Sequence, residues 1–346
     1  MKLEDIARES RATHKGDKSG VPIVGLEHLV PQEIKFTGYD VDTENTFTKA
    51  FKKGQILFGR RRAYLKKAAI ADFDGICSGD ITVIEAIPGK VEPLLLPFII
   101  QNDKFFDYAV SRSAGGLSPR VKWEHLKDYE LDLPPIDEQR ILADKLWAAY
   151  RLKESYKKLL TATQEMVKSQ FIEMFEGNKY PRLSLDNIAK EWLKGQGFKK
   201  DDICEDGNTK CIHYGELFTK YGPVITEVAS RTYVEKKKIS KIGDILFPAS
   251  DVTPNGLARC SMLPFNDVIL GGDIIVLRPK DEYSPAYLSY AINQQTSQLL
   301  TRVNGGVVKH MSAKGLKTVE IPIPPKDKQE EYIQFAHQAD KSEYYN

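Results

Sequence analysis

The residues best suited to chemistry in this chain are cations gathered in one run. Between Glu44 and Asp72 there is no acidic residue, whereas Lys49, Lys52, Lys53, Arg60, Arg61, Arg62, Lys66 and Lys67 place eight positive charges there, with Phe47, Phe51, Phe58 and Tyr64 among them. Lysine and arginine bind phosphate, and arginine matches the acceptor edge of guanine with two N–H groups. The Arg60–Arg62 triplet follows a short apolar segment that reads as a strand, so it is a candidate base-reading or backbone-clamping loop. An ordinary solvated face is the competing reading. A pair of glycine loops forms a second candidate. Ser113-Ala114-Gly115-Gly116 is followed by Arg120 and Lys122, and Val303-Asn304-Gly305-Gly306 by Lys309, His310 and Lys314. Glycines of this kind let the backbone approach a ligand closely beside the cations, although a plain turn uses the same residues.

No catalytic constellation accompanies these cations. The chain has no Gly-x-x-x-x-Gly-Lys-Ser/Thr, His-Glu-x-x-His or Gly-x-Ser-x-Gly motif, and Gly195-Gln196-Gly197 lacks the third glycine of a dinucleotide fingerprint. The six histidines are scattered, and the four cysteines (Cys77, Cys204, Cys211, Cys260) form no Cys-x-x-Cys pair, which points to free thiols and to no metal site. Neither Pro-Pro pair sits in the Asn-Pro-Pro-Tyr context that holds a target base in DNA methyltransferases, so both read as structural.

The elements that must position the cations follow from a repeat. Ala114–Gln139 lies on Asn304–Gln329 without a gap at an offset of 190, with nine identities in 26 positions, where composition alone would give roughly two. Upstream, Gly54-Gln55-Ile56-Leu57-Phe58 answers Gly243-Asp244-Ile245-Leu246-Phe247, Gly79-Asp80-Ile81 answers Gly272-Asp273-Ile274, and Leu3–Ala7 answers Leu185–Ala189. Between these anchors the two copies diverge freely, as loops of different specificity do on one scaffold. The Ile-Leu-Phe and Asp-Ile segments predict strands, and Pro93–Val110 and Pro285–Leu300 predict helices with proline in the first turn. The alternating YELDLPP and TVEIPIPP tails predict strands stopped by Pro-Pro.

After the first Pro-Pro, about 38 residues to Phe175 contain neither glycine nor proline, which predicts a helix of about 55 Å. Its apolar positions Leu142, Leu146, Ala149, Leu152, Tyr156, Leu159, Leu160, Met166, Val167, Phe171 and Met174 recur at three- and four-residue steps. Such a stripe calls for a partner, either its own domain or the equivalent helix after the second Pro-Pro. That second helix has about half the length of the first before Asn346, which leaves open an artificial boundary, a natural shortened form, or a half-rod completed by self-association with another chain. The expected organisation is a recognition domain over 1–136, a connecting helix over 137–177, a second recognition domain over 178–326 and the start of a second helix over 327–346.

Bulk composition agrees with two soluble globular domains. There are 346 residues, with 50 Lys+Arg against 48 Asp+Glu for a net charge of +2, so binding to nucleic acid must rest on local clustering. No run approaches the about 18 apolar residues of a membrane span, and no signal core opens the chain, so no membrane role and a cytoplasmic location are expected.

The duplicated pattern, KGQILF, SGDITVI, PFIIQN, SAGG and LKDYELDLPPIDEQ against IGDILF, GGDIIVL, NGG and LKTVEIPIPPKDKQ, together with the long helix, resembles the specificity (S) subunit of type I restriction-modification systems over nearly the whole chain. The resemblance implies duplicated mixed α/β recognition domains related by a pseudo-twofold axis and joined by long antiparallel coiled-coil helices. It implies a non-catalytic reader of bipartite double-stranded DNA. Lys52, Lys53, Arg60–Arg62, Lys66, Lys67 and the two Gly-Gly loops would lie at the DNA. Leu142, Leu146, Ala149, Leu152, Tyr156, Leu159, Leu160, Val167 and Phe171 would lie at the partner subunits. S-adenosylmethionine is then expected on methyltransferase (M) subunits, and ATP and Mg²⁺ on motor-nuclease (R) subunits, with no cofactor on this chain. The alternatives are a restriction or modification enzyme with its own active site, and a coiled-coil scaffold that binds protein.

Overall fold

The computed structural model describes residues 1–344 apart from Thr37, Asn178, Lys236 and Lys238, with side chains as far as Ala339; Tyr345 and Asn346, the end of the expected second helix, lie outside the described residues. The chain divides into two compact units, Met1–Ser155 and Tyr156–Asn346.

In the first unit the Gly-x-Ile-Leu-Phe segment forms the strand Ile56–Gly59 at the heart of an antiparallel sheet ordered Ala7–Glu9, Ile81–Ala86, Ile56–Gly59, Ala68–Ile70. Alternation along that strand sends side chains to two cores. Ile56 and Phe58 join Ile84, Phe105 and Phe106, while Leu57 joins Val24, Phe51 and Val83 on the other face. The Phe58 ring lies 5.6 Å from both Phe105 and Phe106, and each such buried ring contributes about 1.5–3 kcal/mol.

The second unit repeats this sheet as Ala189–Lys194, Ile274–Pro279, Asp244–Pro248, Ser261–Leu263, with Ile245 and Phe247 facing one core and Leu246 the other. The repeat extends to individual hydrogen bonds. Leu3 N donates to Tyr129 O and Leu185 N to Val319 O, both at 2.9 Å; Ile87 N donates to Ile6 O at 2.8 Å and Lys280 N to Ile188 O at 3.0 Å. The side chain of Gln139 donates to Pro134 O, and that of Gln329 to Pro324 O, each at 2.8 Å. The glutamine after each Pro-Pro therefore closes the turn into the following helix.

Three expectations need correction. Pro93–Val110 and Pro285–Leu300 are each two helices, Leu96–Ile100 with Asp103–Ser111, and Pro285–Asn293 with Thr296–Leu300. Asn102 leaves the helical conformation with ψ 139°, and its side chain accepts from Lys104 N at 2.9 Å to cap the restart. The tail of the second copy is the strand Glu320–Pro322 paired with Arg182–Ser184, but the first copy has only a bridge between Lys2 and Glu130.

The third correction concerns the long helix, Ile136–Phe175, whose buried face is out of phase with the predicted stripe in its first half, whereas in its second half Val167 and Phe171 are buried as the stripe predicts. Its first half packs through Ala143, Trp147 and Tyr150. Trp147 stacks edge-on to Phe98 at 5.1 Å and donates Nε1–H to Leu94 O at 2.8 Å. Near its end, Val167 and Phe171 are buried within the second unit, where Tyr332 of the helix Lys326–Tyr344 donates to Val167 O at 3.2 Å and its ring lies 5.4 Å from Phe171. Those two residues are occupied by packing within the chain and are not open to another subunit. No helix is long and apolar enough to cross a membrane among the described residues.

The four cysteines are free; burial pushes the thiols of Cys77, Cys211 and Cys260 up to about 12, which leaves them protonated and unreactive. An ion pair between the fully buried Asp244 and the partly buried Arg278 supports the second sheet. Arg278 donates Nε–H and Nη2–H to the two oxygens of Asp244 at 2.8 and 2.9 Å, while Lys241 N donates to Asp244 Oδ2 at 2.8 Å. The equivalent first-copy residue, Gln55, accepts from Lys52 N at 2.8 Å and donates to Glu85 at 2.6 Å. Removing Asp244 leaves the partly buried Arg278 with Glu191 and Ile239 O and removes its two charged hydrogen bonds, so Asp244→Ala is expected to cost about 1.5–3 kcal/mol. Gln55→Ala is expected to cost about 1–3 kcal/mol, both read from urea unfolding of the full chain.

Candidate nucleic-acid interface

The two cationic candidates, 50 residues and more apart in sequence, meet at one end of the first sheet. Arg60 follows the strand Ile56–Gly59 directly; its N–H donates to Asp80 O and its carbonyl accepts from Val121 N, both at 3.0 Å. The Gly-Gly loop is closed by reciprocal bonds between Ala114 and Arg120 at 2.9 Å, and Arg62 N donates to Pro119 O at 2.8 Å. Three loops are thereby sewn together by backbone bonds, which do not depend on side-chain identity.

The side chains then sort by role. Arg120 donates Nε–H and Nη2–H to the two oxygens of Asp80 at 2.7 and 3.2 Å, and Nη1–H to Ser118 O at 3.4 Å. Its hydrogen bonds are directed inward, so Arg120 is a positioning residue. Arg61 lies 3.5 Å from Asp80 and donates to Ser118 Oγ at 3.2 Å, and Arg62 donates to the same hydroxyl at 3.3 Å. Asp80 is held below the usual carboxylate range chiefly by the Arg120 hydrogen bond, and further by the charges of Arg120, Arg61 and Arg60, against the opposing effect of burial.

The remaining basic residues are elsewhere or engaged. Lys52 and Lys53 precede the strand, at the opposite end from Arg60, where Asp74 accepts from Lys52 Nζ at 2.9 Å and Lys53 N at 2.8 Å. Lys66 pairs with Asp103 at 2.5 Å, and Lys67 donates to Leu26 O at 2.7 Å. Lys122 is exposed ahead of the helix Trp123–Leu126. Gly115, at φ +116°, requires glycine, whereas Gly116 has open space around it.

The second copy builds the same junction with different side chains. Ala249 N donates to Asp273 O at 2.8 Å, Met311 N to Ala249 O at 2.9 Å, and Asn304 and His310 exchange backbone bonds at 3.1 and 2.7 Å. At the positions of Arg60, Arg61 and Arg62 stand Ala249, Ser250 and Asp251. Ser250 donates to Asp273 Oδ2 at 2.9 Å, and Asp251 accepts from Val252 N and Thr253 Oγ1, both at 2.7 Å. Lys309 folds back to Gly305 O at 2.9 Å, while His310 and Lys314 are exposed. Gly305, at φ +106°, also lies 2.4 Å from Val308 O at a would-be Cβ, and Gly306 is open. Sequence reasoning assigned no role to Asp80, Ser118 or Asp273. The Gly-Asp-Ile match between the copies was the available signal for the two aspartates, because an acid kept beside divergent loops is a candidate anchor.

Among the described residues Glu27, His28 and Asp40 form a cluster of metal-ligand types. His28 Nδ1 accepts from Gly25 N at 2.9 Å, so the neutral ring carries its proton on Nε2, which faces Asp40 at 3.6 Å. The ring therefore caps a turn, as Glu216 does by accepting from His213 N at 2.8 Å in the second copy.

On the long helix, Leu142 and Leu146 line a groove of about 660 Å³ with Phe98, Ile99 and Leu133. Ala149, Leu152, Tyr156, Leu159 and Leu160 are exposed.

The family model for the type I restriction modification DNA specificity domain matches residues 2–162 and 184–343, one match for each copy. The chain belongs to this family. The type I restriction enzyme EcoDI specificity subunit of Escherichia coli is 26% identical over 172 residues, covering 46% of this chain and 38% of that protein. A putative type I restriction enzyme MjaX specificity subunit of Methanocaldococcus jannaschii is 22% identical, covering 94% of this chain and 82% of that protein. This specificity-domain chain thus spans well under half of the first relative and most of the second. The crystal structure of the type I restriction-modification system S subunit from M. genitalium shares its fold, with a TM-score of 0.61 at 12% identity, covering 100% of this chain and 90% of that one.

The junction gives a titration test. Since its folded pKa is depressed, the Asp80 contact stabilises the junction above the ordinary carboxylate value of about 3.9 and is lost as pH falls through the lower folded value. NMR titration of the Asp80 carboxyl is expected to show a midpoint below that value, which Arg120→Gln raises.

Proposed function

We propose that this chain is the DNA-reading subunit of a type I restriction-modification complex. Each copy reads one half of a bipartite duplex target through its three-loop junction, and the chain itself makes and breaks no bond. The observation that carries this reading is the repetition of one backbone frame with different side chains, Arg60-Arg61-Arg62 in one copy and Ala249-Ser250-Asp251 in the other. A constant scaffold with variable loops is what two readers of different base sequences need. Arginines whose guanidinium groups are oriented by Asp80 and Ser118 suit contact with base edges and phosphates.

The apolar residues left exposed along the long helix, Leu152, Tyr156, Leu159, Leu160 and Met166, support docking of methyltransferase subunits. A row of large apolar side chains on a helix is stabilised by burial against a partner. In this reading S-adenosylmethionine is held by those subunits, and ATP and Mg²⁺ by motor-nuclease subunits that join for cleavage.

Sequencing modified bases in host DNA with and without the gene tests the proposal. The expected result is a split motif whose methylation disappears with the gene, while purified chain given DNA, Mg²⁺ and S-adenosylmethionine neither cuts nor methylates. Methylation unchanged at every motif, or catalysis by the chain alone, would contradict it.

A further inference from the structure

We infer that the half-site read by the first copy contains a guanine contacted by Arg62. The inference rests on the DNA-reading function proposed above.

Three observations single out Arg62 among the cations. First, its backbone is left-handed, with φ 54° and ψ 56°, a conformation that a side-chain-bearing residue adopts at a cost; Lys66 shares it at φ 52° and ψ 49°, but the Lys66 ammonium is paired with Asp103. Strain of this kind is kept where surrounding structure over-determines it, and here Arg62 N is tied to Pro119 O at 2.8 Å. Second, Arg62 is exposed and donates only one N–H, to Ser118 Oγ at 3.3 Å, among the described residues. Its other donors are therefore free for an external acceptor. Third, Arg120 is held by both oxygens of Asp80 and Arg61 lies between Asp80 and Ser118, while Arg60 is half-buried with its Nε shielded from solvent. Two guanidinium groups converge on a single hydroxyl, a like-charged arrangement that calls for an acceptor-rich ligand.

Guanine N7 and O6 present two acceptors side by side, the arrangement a fixed guanidinium matches. A phosphate also accepts a guanidinium fork, and replacement of N7 in the base, which leaves every phosphate in place, distinguishes the two. The second copy supplies the contrast. Asp251, at the position of Arg62, spends both carboxylate oxygens within its own loop, on Val252 N and Thr253 Oγ1, so no guanidinium is presented there.

The test uses the full chain with a methyltransferase partner and a randomised duplex pool, from which a motif is selected. Guanines of that motif are then replaced one half at a time by 7-deazaguanine, which lacks the N7 acceptor. In one half the replacement is expected to weaken binding about 10- to 100-fold. For Arg62→Gly the same replacement is expected to matter no more than about twofold, because the contact is already gone. Arg62→Gly also removes the backbone strain, so its melting temperature is expected to be no lower than that of the parent, which separates lost reading from lost folding. Arg62→Lys keeps the charge without the fork and is expected to lose the guanine preference. The inference is overturned if 7-deazaguanine has no effect in either half, if Arg62→Lys retains the preference, or if Arg62→Gly weakens all sequences equally. A selected motif with one of those outcomes overturns the inference alone, whereas failure to select any motif removes the proposed function with it.

Discussion

The residue that follows the central strand of each sheet is bonded on both sides by backbone. At Arg60 in one copy and Ala249 in the other, the N–H donates to the carbonyl of Asp80 or Asp273, and the carbonyl accepts from Val121 or Met311. Buried backbone groups must be paired, and this residue pairs with two loops distant in sequence. The strand end, the Gly-Asp loop and the Gly-Gly loop are thereby fixed together whatever side chains they carry. Side chains can then be exchanged at the junction without loss of the frame, which separates the scaffold from the reading surface.

The same separation governs the charges. In the first copy four arginines, Arg60, Arg61, Arg62 and Arg120, gather at the junction, and Asp80 compensates all but Arg62; in the second no cation occupies positions 249–251, and Asp273 accepts from the Ser250 hydroxyl. Along the sheet the arrangement is inverted. Gln55 pairs with Glu85, which also accepts from Arg8 at 2.5 Å, where the second copy sets Asp244 against Arg278 and Arg278 against Glu191 at 2.8 Å. What recurs between the copies is the pairing of the residue at positions 55 and 244 with its neighbours, with residue types free to change as partners change together. A net charge of +2 over the whole chain is the sum of many such local balances and conceals the arginine-rich end of one sheet.

The repeat and the central strands were legible in the sequence because strand alternation and a shared frame both leave marks at fixed spacing. Ile56, Leu57 and Phe58 alternate between two cores as the pattern predicts. The break at Asn102 was hidden because a side-chain cap inside a continuous apolar run leaves the helical period on either side almost intact. The first half of the long helix was read one residue out of phase, whereas Val167 and Phe171 lie on the predicted face. Leucines at 142, 146 and 152 carry the apparent stripe, whereas the buried face is decided by Trp147, whose ring meets Phe98 and Tyr150, and by Tyr150, the polar tips of the two finding Leu94 O and Glu33. The meeting of Arg60–Arg62 with the Gly-Gly loop could not be read at all, since it is made by tertiary backbone bonds. Lys52, Lys53, Lys66 and Lys67, which look continuous with the arginines, are separated from them by the strand or spent on Asp74, Asp103 and Leu26.

The central claim is that the junction residues specify the half-site and the sheet merely holds them. It is tested most directly by a transplant in which residues 60–62 and 114–120 of the first copy replace residues 249–251 and 304–310 of the second, with the methylated motif then read by modified-base sequencing. The account predicts that the half-site of the second copy changes toward that of the first while the other half stays as it was. A folded, active transplant that methylates the original motif would contradict it.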